Sequence, residues 1–152
     1  MTRPPDKLTA ALWEADRHAA ALERALADWH RVQVTALAQL ESDPDLVRLV
    51  DQILFRFTKL QDCMGERLTV ATLASLAEPY EDWPMRDRLH RLEKLGFIDT
   101  DDWLRWRALR HRLAHEYPGQ DDLRFATLLE GIRGAAELLA ACRHWMLQLA
   151  AR

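Results

Sequence analysis

Glycine and proline number only five and six in 152 residues, too few for a disordered or collagen-like chain. Valine and isoleucine, the residues most useful to strands, are scarce, while leucine and alanine lead an apolar fraction of 49%. That mixture favours helices over sheet. No window approaches eighteen uncharged apolar residues, which argues against a membrane span. The opening MTRPPDKLTA has no apolar core of the kind a signal peptide needs. Cys63 and Cys142 stand alone, far apart and outside any CxxC spacing. They read as small buried residues in a reducing compartment rather than a disulfide, so the cytoplasm is the expected location. Glycine-rich phosphate loops, Ser/His/Asp arrangements and nucleotidyltransferase carboxylate pairs are missing. A strong positive balance is missing too: the net charge is −3. Holding long nucleic acid by general phosphate neutralisation calls for a basic chain. Any grip on nucleic acid must therefore come from a local patch.

What is present reads as helix. At this length one domain, residues 1–152, can bury its own core. Leu8, Leu12, Ala15, Ala19, Leu22, Leu26 and Trp29 recur by threes and fours. They predict a first helix from Asp6 or Thr9 to about Leu40, weakened at Gln33. Asp43 and Pro44 form the next start signal, as N-cap and first helical residue. The second stripe runs through Leu46, Leu49, Val50, Ile53, Leu54, Phe57, Leu60 and Met64, with Gly65 as the expected stop. Thr69 to Ala77 suggests a short helix, and Glu78 to Pro84 a loop, given two prolines five residues apart. Met85 to Leu95 predicts a short helix closed by Gly96. Thr100, followed by Asp101 and Asp102, marks a start that suits the helix dipole, and this helix should run until Pro118 ends it at Tyr117. The last helix begins at Asp121 or Asp122, with its stripe on Phe125, Leu129, Ile132, Ala136, Leu139, Cys142, Met146 and Leu149. Gly131 and Gly134 inside it either admit a close neighbour or are simply tolerated. The sum is an all-α chain, an up-and-down four-helix bundle with short extra helices.

The chemistry concentrates between Trp103 and Tyr117, where four arginines (105, 107, 110 and 112) and His111 and His115 meet one acid, Glu116. A solvated helix face is the plain reading of such a cluster. Arg110 resists that reading. On a helical wheel Trp103, Trp106, Leu113 and Tyr117 fall within about 60° of it, so a charge sits inside the apolar stripe and needs a partner or an anion. It is either a structural ion pair or a phosphate clamp, since its donors match phosphate oxygens. His115 lies about 140° round the same ideal helix. The two side chains converge only if the helix unwinds before Pro118, or if they meet across a two-fold axis.

The stretch Arg110-His111-Arg112-Leu113-Ala114-His115-Glu116-Tyr117 resembles the Arg-x4-His-x-Tyr motif of HepT-type toxins of the HEPN superfamily, in which the residue after the Arg is polar. Arg56-Phe57-Thr58-Lys59-Leu60-Gln61-Asp62, the long first helix and the helix order are similar to that family as well. The resemblance implies a HEPN-like bundle and a homodimer acting as a metal-independent endoribonuclease on RNA. It also implies a partner, an MNT-type nucleotidyltransferase antitoxin that attaches AMP to the motif tyrosine, here Tyr117. Arg110 and His115 would be the catalytic pair, with His111, Arg112 and Arg107 supporting RNA binding, and neither cofactor nor metal is expected. RNA brings its own 2′-hydroxyl nucleophile, so His115 need only move protons and Arg110 hold the charged phosphoryl oxygens.

Other readings remain. His111 and His115 have the i, i+4 spacing of a metal pair, but Arg112 stands where a zincin has glutamate and no third ligand is evident. His18, His30, His90 and His144 stand alone and read as structural or surface residues. Trp103 and Trp106 are core residues or base-stacking platforms. For Tyr117 the alternative to a switch is a structural role, its ring packed on Trp103 or Leu113 and its hydroxyl bonded. A non-enzymatic alternative also fits the bundle: a nucleotide- or substrate-binding partner subunit of a minimal nucleotidyltransferase.

Overall fold

The computed structural model describes residue 3 and residues 6–152. Met1, Thr2, Pro4 and Pro5, part of the segment read above as lacking a leader's apolar core, lie outside them. Among the described residues every regular element is helical, so the chain is all-α. No helix among them is long and apolar enough to cross a membrane.

Helix α1 spans Lys7–Trp29, and the Asp6 carboxylate caps it by accepting from the Thr9 amide at 2.7 Å. It stops eleven residues before the expected Leu40. The chain crosses residues 30–36 as a loop and re-enters helix only at α2, Leu37–Glu41. Val32, Val34 and Thr35 carry β-branched side chains that weaken helix. Gln39 secures the alternative path: its amide donates to the Gln33 carbonyl at 2.7 Å, and its Oε1 accepts from the Thr35 N–H at 3.0 Å.

Helix α3, Pro44–Asp62, begins as the sequence predicts, with Asp43 as N-cap and Pro44 in the first turn. Gly65, however, is not a stop. The helix continues through a π-helical turn, Cys63–Leu68, into α4, Thr69–Ser75. Gly65 serves a close approach instead, because a Cβ there would lie 2.8 Å from Trp103 Cζ2. Helix α5, Met85–Lys94, does end at its glycine. Gly96 has φ +86°, and the Phe97 N–H reaches back to the Leu92 carbonyl at 2.9 Å, the closing bond of a left-handed cap.

Helix α6, Thr100–Leu113, is capped by Asp99, whose carboxylate accepts from the Asp102 N–H at 2.9 Å. The cap thus falls one residue before Thr100. Helix α7, Asp121–Ala150, is the longest. Its buried line is Gly131, Ile132, Gly134, Ala135, Leu138, Cys142 and Trp145, which shares only Ile132 and Cys142 with the expected stripe. The glycines explain the rotation. Cβ atoms at 131 and 134 would meet Leu113 at 3.0 Å and Leu109 at 2.5 Å, so α6 lies directly on this small-residue face, and of the two readings of these glycines the close neighbour is the one found.

α1 packs on both α3 and α7, α3 packs on α7, and α6 packs on α7 beside α3, both reaching the glycine face. The shared core includes Leu22, Ile53, Phe57, Leu60, Met64, Leu138 and Trp145. Trp145 also donates to Thr72 Oγ1 at 3.1 Å, a buried tie between α7 and α4. Cys63 and Cys142 are free and buried, as read from the sequence.

Candidate functional site

Two polar ties lock α6, which carries the basic cluster, to α7. Glu137 Oε2 accepts from Arg105 Nη2 at 2.7 Å and from Trp106 Nε1 at 3.1 Å. Burial works to raise the Glu137 pKa, but the bonds from Arg105 and Trp106 outweigh it and hold the carboxyl below its ordinary range. Further along, Arg112 Nη2 meets Glu130 Oε2 at 2.5 Å. Arg112 therefore points along the α7 side of α6.

Trp103, Trp106 and Leu109 are the buried residues of the apolar face, and Arg110 stands at its flank, half-buried. That position corrects the wheel, whose stripe was centred on Arg110 itself. The cost of the half-buried charge is met by an acid on another helix: Arg110 Nη1 donates to Asp62 Oδ1 at the end of α3. Asp62 closes the Arg-Phe-x-Lys-Leu-x-Asp stretch, yet no local pattern pairs it with a residue 48 positions later. The available signal was indirect: an arginine in an apolar stripe requires an acid at the edge of a neighbouring stripe, and Asp62 follows Leu60 on α3.

The guanidinium carries five N–H donors, and the Asp62 bond is the one it forms among the described residues. It lines two adjoining hollows. One, of about 330 Å³, is bounded by Gln61, Asp62, Gly65, Glu66, Met85, Trp103 and Arg107. The other, of about 710 Å³, is bounded by Gln61, Leu104, Arg107, Ala108, His111 and Ala114. Arg107 lines both and is exposed, with no carboxylate in ion-pair range among the described residues. Glu66 is engaged by Arg67 at 3.1 Å, and the Asp62 charge is balanced by Arg110. Arg107 is thus the uncompensated charge where the hollows meet.

Helix α6 ends at Leu113, four residues before the expected Tyr117. Ala114 and His115 turn back in tight bonds to the His111 and Arg112 carbonyls. The chain unwinds, but no hydrogen bond joins Arg110 to His115 among the described residues. His115 instead sits edge-on to His111, ring centroids 5.5 Å apart, and 5.9 Å from the Tyr117 ring. His111 and His115 are exposed and Tyr117 is half-buried.

Tyr117 has φ +48°, a left-handed backbone that a non-glycine residue adopts only at some cost. Gly119 follows at φ +75°, and the Gln120 N–H closes the turn on the Tyr117 carbonyl at 3.1 Å. The ring packs beside His115, and neither Trp103 nor a hydroxyl bond holds it among the described residues. No group of three or more His, Cys, Asp or Glu side chains is arranged to hold a metal ion among them.

Compared with protein-family models, with curated proteins and with solved structures, the chain finds no match.

Proposed function

We propose that this chain is a metal-independent endoribonuclease, the toxin of a toxin–antitoxin pair, built on a HEPN-like up-and-down four-helix bundle. The observation that carries the reading is Arg110. It is anchored to α3 through one N–H and keeps its other donors for the two open hollows it shares with Arg107. The bond to Asp62, which lines the smaller hollow with it, fixes the guanidinium in place, and a fixed guanidinium is pre-oriented toward an anion.

The reaction needs little else. The 2′-hydroxyl of RNA loses its proton to His115 and attacks the adjacent phosphorus. Arg110 stabilises the charge that builds on the phosphoryl oxygens, and the His115 imidazolium returns its proton to the departing 5′-oxygen. The products are a 2′,3′-cyclic phosphate and a 5′-hydroxyl end. Because Arg110 and His115 are not joined within one chain, the site is completed by a second copy across a two-fold axis. Tyr117 is the residue that a partner nucleotidyltransferase modifies with AMP. It is half-buried outside the core cluster, in the loop just before Gly119, where a partner enzyme can approach it. The added phosphate and base would then block the RNA site.

The Asp62 ion pair also favours a second reading. A guanidinium already neutralised needs no phosphate for stability, which suits a non-catalytic nucleotide- or substrate-binding partner of a minimal nucleotidyltransferase. The pure protein separates the two readings. On the first, it cuts RNA in excess EDTA and leaves cyclic-phosphate ends, while Arg110→Ala and His115→Ala are each at least a hundredfold slower, the lower end of what a positioned acid–base or oxyanion group contributes. No cleavage by the wild type, or equal cleavage by His115→Ala, refutes the ribonuclease reading.

A further inference from the structure

A second feature of α3 is not used by the motif on α6. Phe55 is exposed, with 52% of its surface in solvent. Two cations of the same helix flank its ring, Arg56 Cζ and Lys59 Nζ, each 5.5 Å from the centroid. Neither has a carboxylate in ion-pair range among the described residues. Arg56 Nη1 is 3.0 Å from His18 Nδ1 on α1. Burial, and then the Arg56 charge, push the His18 pKa down, so a neutral imidazole accepts that bond and Arg56 keeps its full charge.

Position ties this cluster to the hollows. Phe55 and Asp62 are seven residues apart in α3, which puts them on one helix face about 10 Å from each other. Asp62 is the residue that holds Arg110. That face leads from the Arg110 hollows past Asp62 to Lys59 and Phe55, with Arg56 beside the ring on its α1 side. Asp51, one turn earlier on the same face, bounds it with negative charge. In a chain of net charge −3 this is a short basic strip with an open aromatic ring at its far end.

We infer that the Phe55–Lys59 face of α3 is a track for single-stranded RNA. Phe55 stacks on an unpaired base, and Arg56 and Lys59 lie against the flanking phosphates. The strand then continues into the Arg110 hollows. Duplex RNA is a poor fit, because its bases are already stacked on one another and an exposed phenyl ring finds no free face. The inference rests on the ribonuclease reading only in naming RNA as the strand.

The test is fluorescence anisotropy with a labelled ten-nucleotide single-stranded RNA and with a duplex of the same sequence. It is run on full-length protein carrying His115→Ala to prevent cutting. Phe55→Ala should weaken single-strand binding about tenfold, within the range of one base–aromatic stack, and leave duplex binding unchanged. Phe55→Trp should restore it. Lys59→Ala should lower the slope of log affinity against log salt by about 0.7, the loss of one phosphate contact on a single strand.

Phe55 is exposed, so these variants should melt like the parent in circular dichroism. Equal binding by Phe55→Ala and parent overturns the inference. So does a conversion from dimer to monomer by Phe55→Ala in light scattering, which would make this face an interface between copies. A His115-intact protein that binds single strands through Phe55 but cuts nothing removes the ribonuclease reading and leaves the track. A protein that cuts normally despite Phe55→Ala does the reverse.

Discussion

The two cysteines carry the clearest titration consequence at the scale of single residues. Burial, the leading cause at both, pushes the Cys63 thiol up to about 12 and the Cys142 thiol up to about 11. In the unfolded chain each would ionise near its ordinary value of 9.0. Above pH 9 the folded state therefore holds protons that the unfolded state releases, and stability falls as pH rises. Between pH 7 and pH 10 wild-type protein should lose on the order of 1 kcal/mol per thiol more than the Cys63→Ala/Cys142→Ala double variant. Urea midpoints at the two pH values measure this directly. Any cavity left by alanine offsets both pH values equally and cancels from the comparison. Parallel losses in the two proteins would mean that the thiols titrate alike in folded and unfolded chains.

Helix contacts decide the behaviour of the glycines. Alanine in place of a helical glycine gains about 1 kcal/mol of propensity, while forcing a methyl into a packed contact costs about 1–3 kcal/mol. At Gly65 the obstacle is the Trp103 indole, which is rigid and buried; at Gly134 it is a Leu109 methyl, which can rotate. Gly65→Ala should therefore destabilise by up to about 2 kcal/mol, and Gly134→Ala by less, despite its shorter 2.5 Å approach. Chemical denaturation of both variants gives the order, and the reverse order would show that distance outweighs side-chain stiffness here. Helix ends were legible where a side chain acts on its own neighbours: Asp6, Asp43 with Pro44, and Gly96 all act within one turn. They were misjudged at Trp29 and Leu113. At Trp29 the apolar pattern weakens and then resumes past the break, and at Leu113 the stop signal, Pro118, stands beyond the real end; the loops are held by Gln39 and by a left-handed Tyr117.

Across the whole molecule, the separation of Arg110 from His115 bears on assembly. On the proposed reading, in which a second copy completes the site, the exposed Leu104 on the same helix belongs to a homodimer interface through α6. Light scattering at micromolar concentration should then return about twice the 17.7 kDa chain mass. A clean monomer that still cuts RNA would show that His115 reaches Arg110 within its own chain. The all-helical class, the helix starts at Asp6, Asp43, Met85 and Asp121, and the basic run on α6 were determined by the sequence alone, because propensity, caps and charge act over a few neighbouring residues. Tertiary structure decided the rest. Only packing brought Asp62 to Arg110 across 48 positions, turned α7 onto its glycine face and carried the helix past Gly65 toward Trp103. Each of these depends on which face meets which neighbour, and an ion pair or a methyl-sized gap between distant segments leaves no periodic trace in the chain.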